Sequence, residues 1–180
     1  MKIVREPPII TIVGFSGAGK TSLLEKLIPE FTRRGFRVGT IKHDVHGFEI
    51  DQPGKDSWRH KQAGASTTII SSSRKVGMIM DVDHDHHPDE LASLLSNVDI
   101  ILAEGYKQVD KPKLEVFRTG VHKEPLFKDD KHLVALISDM EGNLDVPKFS
   151  MNNIEGLTDF LIIYFGIIPA IPIQQQEAAK

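Results

Sequence analysis

One octapeptide constrains this chain more than any other feature. Gly14-Phe15-Ser16-Gly17-Ala18-Gly19-Lys20-Thr21 satisfies the pattern G-x-x-x-x-G-K-[ST] at every fixed position. The apolar run Ile9–Val13 precedes it and reads as a buried strand. Leu23, Leu24, Leu27, Ile28 and Phe31 follow at helical spacing. The pattern therefore stands in the strand–loop–helix setting that lets it hold phosphate. Its glycines allow a tight turn and a close backbone approach to a ligand. The loop N–H groups converge on phosphate oxygens, and the first helical turn, through Ser22, adds unpaired N–H groups and the positive end of its dipole. Lys20 is expected to reach the β- and γ-phosphates, and Thr21 to ligate Mg²⁺. The octapeptide alone leaves ATP and GTP open, and likewise kinase, switch and hydrolase.

The rest of the chain alternates strand-like and helical segments. The first helix should run from Gly19 to about Arg34, bent at Pro29. Phe36–His43 reads as a second strand and Asp44–Lys55 as a loop. Lys55–Ala65 reads as a helix, with Asp56 or Ser57 near its cap and Trp58 anchoring it to the sheet. Thr67–Ser71 and Lys75–Val82 suggest a hairpin. A polar tract, Asp81–His87, then leads into a helix with Pro88 in its first turn. DIILAEGYK, PKLEVFRT and HLVALISD supply three more strands, and a last helix begins after Asn152 or Asn153. The expected architecture is an α/β three-layer sandwich of the P-loop nucleotide-hydrolase type, mostly parallel, with an inserted hairpin at 67–82. One nucleotide-binding domain should span 1–180, ending in a proline-containing tail at 169–180.

Composition narrows the function. A net charge of −3 gives no basic footprint for nucleic acid. The absence of cysteine removes disulfide scaffolds, thiolate catalysis and Cys-ligated zinc. The opening MKIVREPPIITIVG does not have the form of a signal peptide. The apolar stretch FLIIYFGIIPAIPI is interrupted by glycine and two prolines, short of a membrane span. A cytoplasmic location without membrane contact is expected.

Several polar residues stand where strands should end. Glu104-Gly105 closes DIILAEG, a position suited to a Mg²⁺ carboxylate with a glycine that admits the γ-phosphate. Lys42-His43-Asp44 closes the second strand, expected to lie near the first; Lys42 could counter phosphate charge and Asp44 could serve metal or water. His43 and His46 read equally well as loop residues. Asp51, Lys55 and Asp56 could line a nucleotide pocket. Asp81–His87 lacks metal-ligand spacing and reads as a solvated loop. Asp139, after HLVALIS, could accept the paired N–H donors of guanine, although no N-K-x-D accompanies it.

Taken in order, GFSGAGKT, IKHDVH, DQPGKDSWRHKQAGA, LAEGYK and KLEVFR resemble the molybdopterin-guanine dinucleotide biosynthesis protein B family, from Ile9 to about Asp139. The resemblance implies a GTP-binding adaptor with weak GTPase activity in molybdenum cofactor synthesis. It implies a homodimer that assists the guanylyl-transferring enzyme, with the molybdenum cofactor a further candidate ligand. By the same resemblance Gly14 to Thr21 hold phosphates and Mg²⁺. Lys42 to Asp44 and Glu104-Gly105 face the γ-phosphate. Asp51, Lys55 and Asp56 match the D…GKDS stretch, and Arg118 matches the arginine of E-V-x-R. The metal set is then Thr21, Asp44 and Glu104, and the catalytic set Lys20, Asp44 and Glu104. The exposed hairpin edge and the apolar FGIIPAIPI independently favour a dimer. The alternatives are a small-molecule kinase, for which the arginines are too scattered to form one lid, and a non-hydrolysing scaffold, against which Lys20 and Thr21 argue.

Overall fold

The computed structural model describes residues 6–120, 122–142 and 144–169. They form two compact units, one comprising the chain up to His43 and from His87 onward, the other Asp44–His86.

The first unit is built on a parallel sheet. Its strands are β1 (Ile9–Val13), β2 (Val38–Lys42), β5 (Ile100–Glu104), β6 (Lys113–Phe117), β7 (Leu133–Ser138) and β8 (Lys148–Phe149), in the spatial order β2-β5-β1-β6-β7-β8. Every pairing among them is parallel. Strands covered on both faces should be continuously apolar, and β1 and β7 are buried along their whole lengths. Helices α1 (Lys20–Arg33) and α4 (Ile154–Phe165) close one face, packing Leu23, Leu27, Phe31, Leu157 and Leu161 on Ile10, Ile12, Leu102 and Leu114. The short α3 (Pro88–Ala92) and the segment after it close the other, where Leu91, Leu95 and Val98 meet Ile9, Ile101, Ala103 and Tyr106. His87 and Glu90 form a reciprocal capping box at the start of α3, with Pro88 in the first turn as the sequence suggested.

β2 lies near β1, as expected, with β5 between them. Lys42 therefore stands in register with Glu104 rather than with the strand leading into the glycine loop. The last strand, β8, was not legible in the sequence. α1 continues through Pro29 to Arg33.

The second unit holds α2 (Asp56–Gln62) and the antiparallel hairpin β3 (Thr67–Ser71) and β4 (Val76–Met80). α2 is shorter than the Lys55–Ala65 read from sequence. Lys55 occupies its cap position without a side-chain capping bond. α2 buries no residue fully, and Trp58 is half-buried rather than a core anchor. Beyond Pro169 the tail lies outside the described residues.

Candidate nucleotide site

β1 delivers the glycine loop to the carboxyl edge of the sheet, between β5 on one flank and β6 on the other. Gly14 has φ 135°, and a Cβ there would stand 2.4 Å from the Val116 carbonyl oxygen, so only glycine fits. Phe15 leaves the loop sideways and stacks on His122, ring centroids 3.3 Å apart. Ser16 and Gly17 are exposed at the loop tip, while Ala18 tucks into the core. Gly19 caps α1 in a left-handed conformation, and no side chain makes a capping hydrogen bond to the N–H groups of the first turn, Lys20, Thr21 and Ser22.

On the β5 flank, Lys20 turns back to donate to the Phe15 carbonyl at 2.8 Å. Burial holds its ammonium below the usual lysine range. Glu104 opposes that shift, and the positive charges of Lys107 and Lys42 add to it. The hydroxyl of Thr21 lies 3.3 Å from each oxygen of Glu104. That is long for an O–H···O bond. It is close to the spacing of about 3 Å between neighbouring oxygens around an octahedral cation whose ligands lie at about 2.1 Å. His43 stacks on Tyr106 at 4.4 Å, and its N–H donates to the Glu104 carbonyl at 2.9 Å, which fixes the ends of β2 and β5 together. Gly105, at φ 99°, donates its N–H to the Ile12 carbonyl at 3.0 Å and so continues the sheet bonding past the end of β5.

On the β6 flank lies a cleft of about 330 Å³ lined by Val116, Phe117, Arg118, Ile137, Ser138, Asp139, Ser150, Met151 and Asn152. It collects the carboxyl ends of β6 and β7 and the turn after β8. Asp139 is exposed in it. Thr119 approaches Asp139 Oδ1 only loosely, at 3.5 Å from N–H and 3.4 Å from Oγ1. Arg118 and Met151 reach from the cleft to the loop: a Cβ on Gly19 would meet the Arg118 Nη2 at 3.1 Å and the Met151 Cε at 3.0 Å.

The chain that follows β6 is tied back to that strand at Leu126 and Phe127. The fully buried Glu115 carboxylate accepts the N–H groups of Leu126 at 2.6 Å and Phe127 at 3.0 Å. Burial raises its pKa against these two bonds. Buried Lys113 donates to the Val109 carbonyl at 2.7 Å and pairs with Asp130 at 3.1 Å. In KLEVFR the lysine and glutamate thus tether loops on either side of the strand.

Of the residues singled out in the sequence, the first unit brings together Gly14 to Ser22, Lys42, His43, Glu104, Gly105, Arg118 and Asp139 along one sheet edge. Asp44, Asp51, Lys55 and Asp56 belong to the second unit. There Asp51 Oδ1 accepts from the Gln52 N–H at 2.8 Å and from Ser57 Oγ at 3.0 Å, and Asp44 accepts from the His46 N–H at 2.9 Å. In the polar tract, His84 pairs with Asp83 at 2.7 Å and stacks on His86. Sequence reasoning missed Lys107, Met151, Asn152 and His122. Lys107 could have been found from AEGYK, because it follows the Glu104 turn by three residues.

A six-stranded parallel α/β sheet with a glycine loop at the end of its first strand is a P-loop-like fold. Residues 9–139 match the family described as "Molybdopterin guanine dinucleotide synthesis protein B". The chain belongs to this family. It is 39% identical to the molybdopterin-guanine dinucleotide biosynthesis adapter protein of Escherichia coli over 160 residues, covering 86% of this chain and 91% of that one. It is 36% identical to the adapter protein of Haemophilus influenzae, covering 86% and 87%. A crystal structure of molybdopterin-guanine biosynthesis protein B superposes with a TM-score of 0.69 at 24% identity, over 87% of this chain and 99% of that one. That likeness concerns the fold. Among the described residues no helix is long and apolar enough to cross a membrane.

Proposed function

We propose that this adapter-family chain binds GTP with Mg²⁺, hydrolyses it slowly, and acts as a homodimer beside a guanylyl-transferring enzyme. The observation that carries the reading is the meeting of Thr21 and Glu104 at the mouth of the glycine loop. A hydroxyl and a carboxylate spaced for a hard cation, next to Lys20, suit a Mg²⁺-bound polyphosphate. Bound there, Mg²⁺ would neutralise charge on the β- and γ-phosphates. Thr21 and Glu104 would hold it, with Asp44 the sequence-based candidate for a further ligand.

The chain's own part is binding and charge. The N–H groups at the start of α1 take phosphate oxygens, and Lys20 leaves the Phe15 carbonyl to do the same. Lys42 and Lys107 bring positive charge to the β5 flank, where the γ-phosphate would lie. Asp139, exposed in the β6 cleft, suits the N1–H and N2–H donors of guanine, which adenine lacks. Among the described residues the arginine that reaches the loop is Arg118, on the β6 flank rather than beside Thr21 and Glu104, and slow unassisted hydrolysis is expected on that reading. Asp51, Lys55 and Asp56 remain candidates for a second ligand contact.

The homodimer rests on a different observation. Ile69, Ile70, Val76, Met78, Met80 and Val82 are all exposed on the hairpin. A two-fold pairing would cover them.

Titration of wild type with Mg²⁺ and GTP, GDP, ATP or ADP tests the reading. Saturable binding with guanine preferred over adenine is expected, and loss of binding in folded Lys20→Ala. Equal affinity for ATP and GTP would overturn the guanine assignment. Retained affinity in Lys20→Ala would overturn the phosphate assignment.

A further inference from the structure

We infer that Arg118 is the contact for the α-phosphate, the residue that joins the phosphate loop to the base cleft. The inference rests on the nucleotide reading given above and adds an orientation and a role to it.

Arg118 leaves the end of β6 and extends over the start of α1, its Nη2 3.1 Å from where a Cβ of Gly19 would stand. Its guanidinium makes no ion pair or hydrogen bond among the described residues, although Asp139 lines the same cleft. A cation above the positive end of a helix is repelled by it. An anion between the two reverses the sign, because both the free N–H groups and the guanidinium then face negative charge. The place is thus prepared for an anion and poorly arranged without one.

The sheet order says which phosphate that is. Glu104 and Thr21 meet on the β5 flank of the loop, and Arg118 and the cleft lie on the β6 flank. A nucleotide with its metal-bound end at Thr21 and its base in the cleft crosses Gly19 with the phosphate nearest the base. Arg118 faces that crossing. Its planar fork can take two phosphate oxygens, which a lysine cannot match. Met151, reaching Gly19 from the other cleft wall, supplies an apolar side to the same passage.

An α-phosphate contact is common to the mono-, di- and triphosphate, whereas a γ-phosphate contact exists only with the triphosphate. Affinities for GMP, GDP and a non-hydrolysable GTP analogue should therefore be measured with Mg²⁺ for wild type, Arg118→Ala, Arg118→Lys, Lys107→Ala and Lys20→Ala. Arg118→Ala is expected to weaken GDP and the GTP analogue by the same factor, about ten- to a hundredfold, with GMP weakened too. Arg118→Lys should recover part of the loss, since charge survives and the fork does not. Lys107→Ala should instead weaken the GTP analogue more than GDP. A loss in Arg118→Ala confined to the GTP analogue would move Arg118 to the γ-phosphate and overturn the inference. Unchanged affinities in Arg118→Ala, with Lys20→Ala impaired, would overturn it and leave the nucleotide reading standing. Wild type that binds none of the three would remove both. Arg118 is exposed, so the variant is expected to keep the wild-type unfolding temperature, and a large drop would assign the residue to the fold instead.

Discussion

β1 and β3 are both five-residue strands carrying isoleucines, and they end in opposite surroundings. Ile10 and Ile12 in β1 are 0% exposed, whereas Ile69 and Ile70 in β3 are 61% and 62% exposed. β1 has a parallel partner on each side and packed layers on both faces. β3 has one antiparallel partner, β4. Local sequence decides that each is a strand, but the number of covering layers decides what its side chains contribute. Burying one such isoleucine is worth about 1.5–3 kcal/mol, and in the hairpin this contribution is still available to a partner surface.

The strongest test of that contrast is a pair of truncations. Leu102→Ala, at a wholly buried site in β5, should cost about 2–5 kcal/mol in denaturant unfolding, at any protein concentration. Ile70→Ala in dilute solution should cost far less, about 0.5 kcal/mol. Comparable losses in the two would mean that the hairpin isoleucines are covered within the chain's own fold. A smaller effect on stability, with a larger one on assembly, is expected from Ile70→Asp combined with Met78→Asp. Light scattering should then report monomer, against the dimer proposed for wild type, with the dilute unfolding midpoint little changed. Wild type that remains monomeric at micromolar concentration would remove the second copy as the cover.

The smallest effect separates the two regions by pH. On α1 the Glu30 carboxylate is held down to about 2 from its usual 4.5, chiefly by the hydrogen bond from Arg33, with Arg34 adding and burial opposing. Arg34 also bonds Asp159 of α4, so Glu30 braces a contact between the two helices that cover one face. A depressed carboxylate pKa stabilises the fold above the unfolded value. Its contribution is present above about pH 4.5 and fades as the pH falls towards 2. Glu30→Gln should flatten the stability profile in that window and leave dimerisation at neutral pH unaltered. A profile identical to wild type below pH 4.5 would remove Glu30 from the acid response.

Where a strong local pattern exists, the sequence was readable. The strand, glycine loop and helix from Ile9 to Arg33 needed only spacing and residue type, and Asn153 at the head of α4 was visible as a cap. The place of Glu104 at the end of β5 was legible because an acidic residue ended an apolar run. The remainder depends on contacts between distant segments. β8 is two residues long, too short to show a period, yet the turn after it lines the cleft with Ser150, Met151 and Asn152. Nothing near residue 118 or residue 151 indicates that both side chains close on Gly19. The place of β5 between β2 and β1 is likewise a matter of topology, and it determines that Lys42 faces Glu104. The sheet bond from the Gly105 N–H to Ile12, past the end of β5, is also set by the pairing of distant strands.

The sheet order also bears on how the chain is made. Both partners of β1 come from the later half: Ile9 stands beside Ile101 in β5, and Thr11 beside Lys113 in β6. While the chain emerges from the ribosome, β1 and its glycine loop have no strand to join until Ile100 and beyond are translated. The hairpin, whose strands adjoin in sequence, can pair much earlier. Contacts spanning so much chain form slowly. The apolar strand β1 is therefore exposed throughout that interval, as a segment open to chaperones and to misassociation during synthesis.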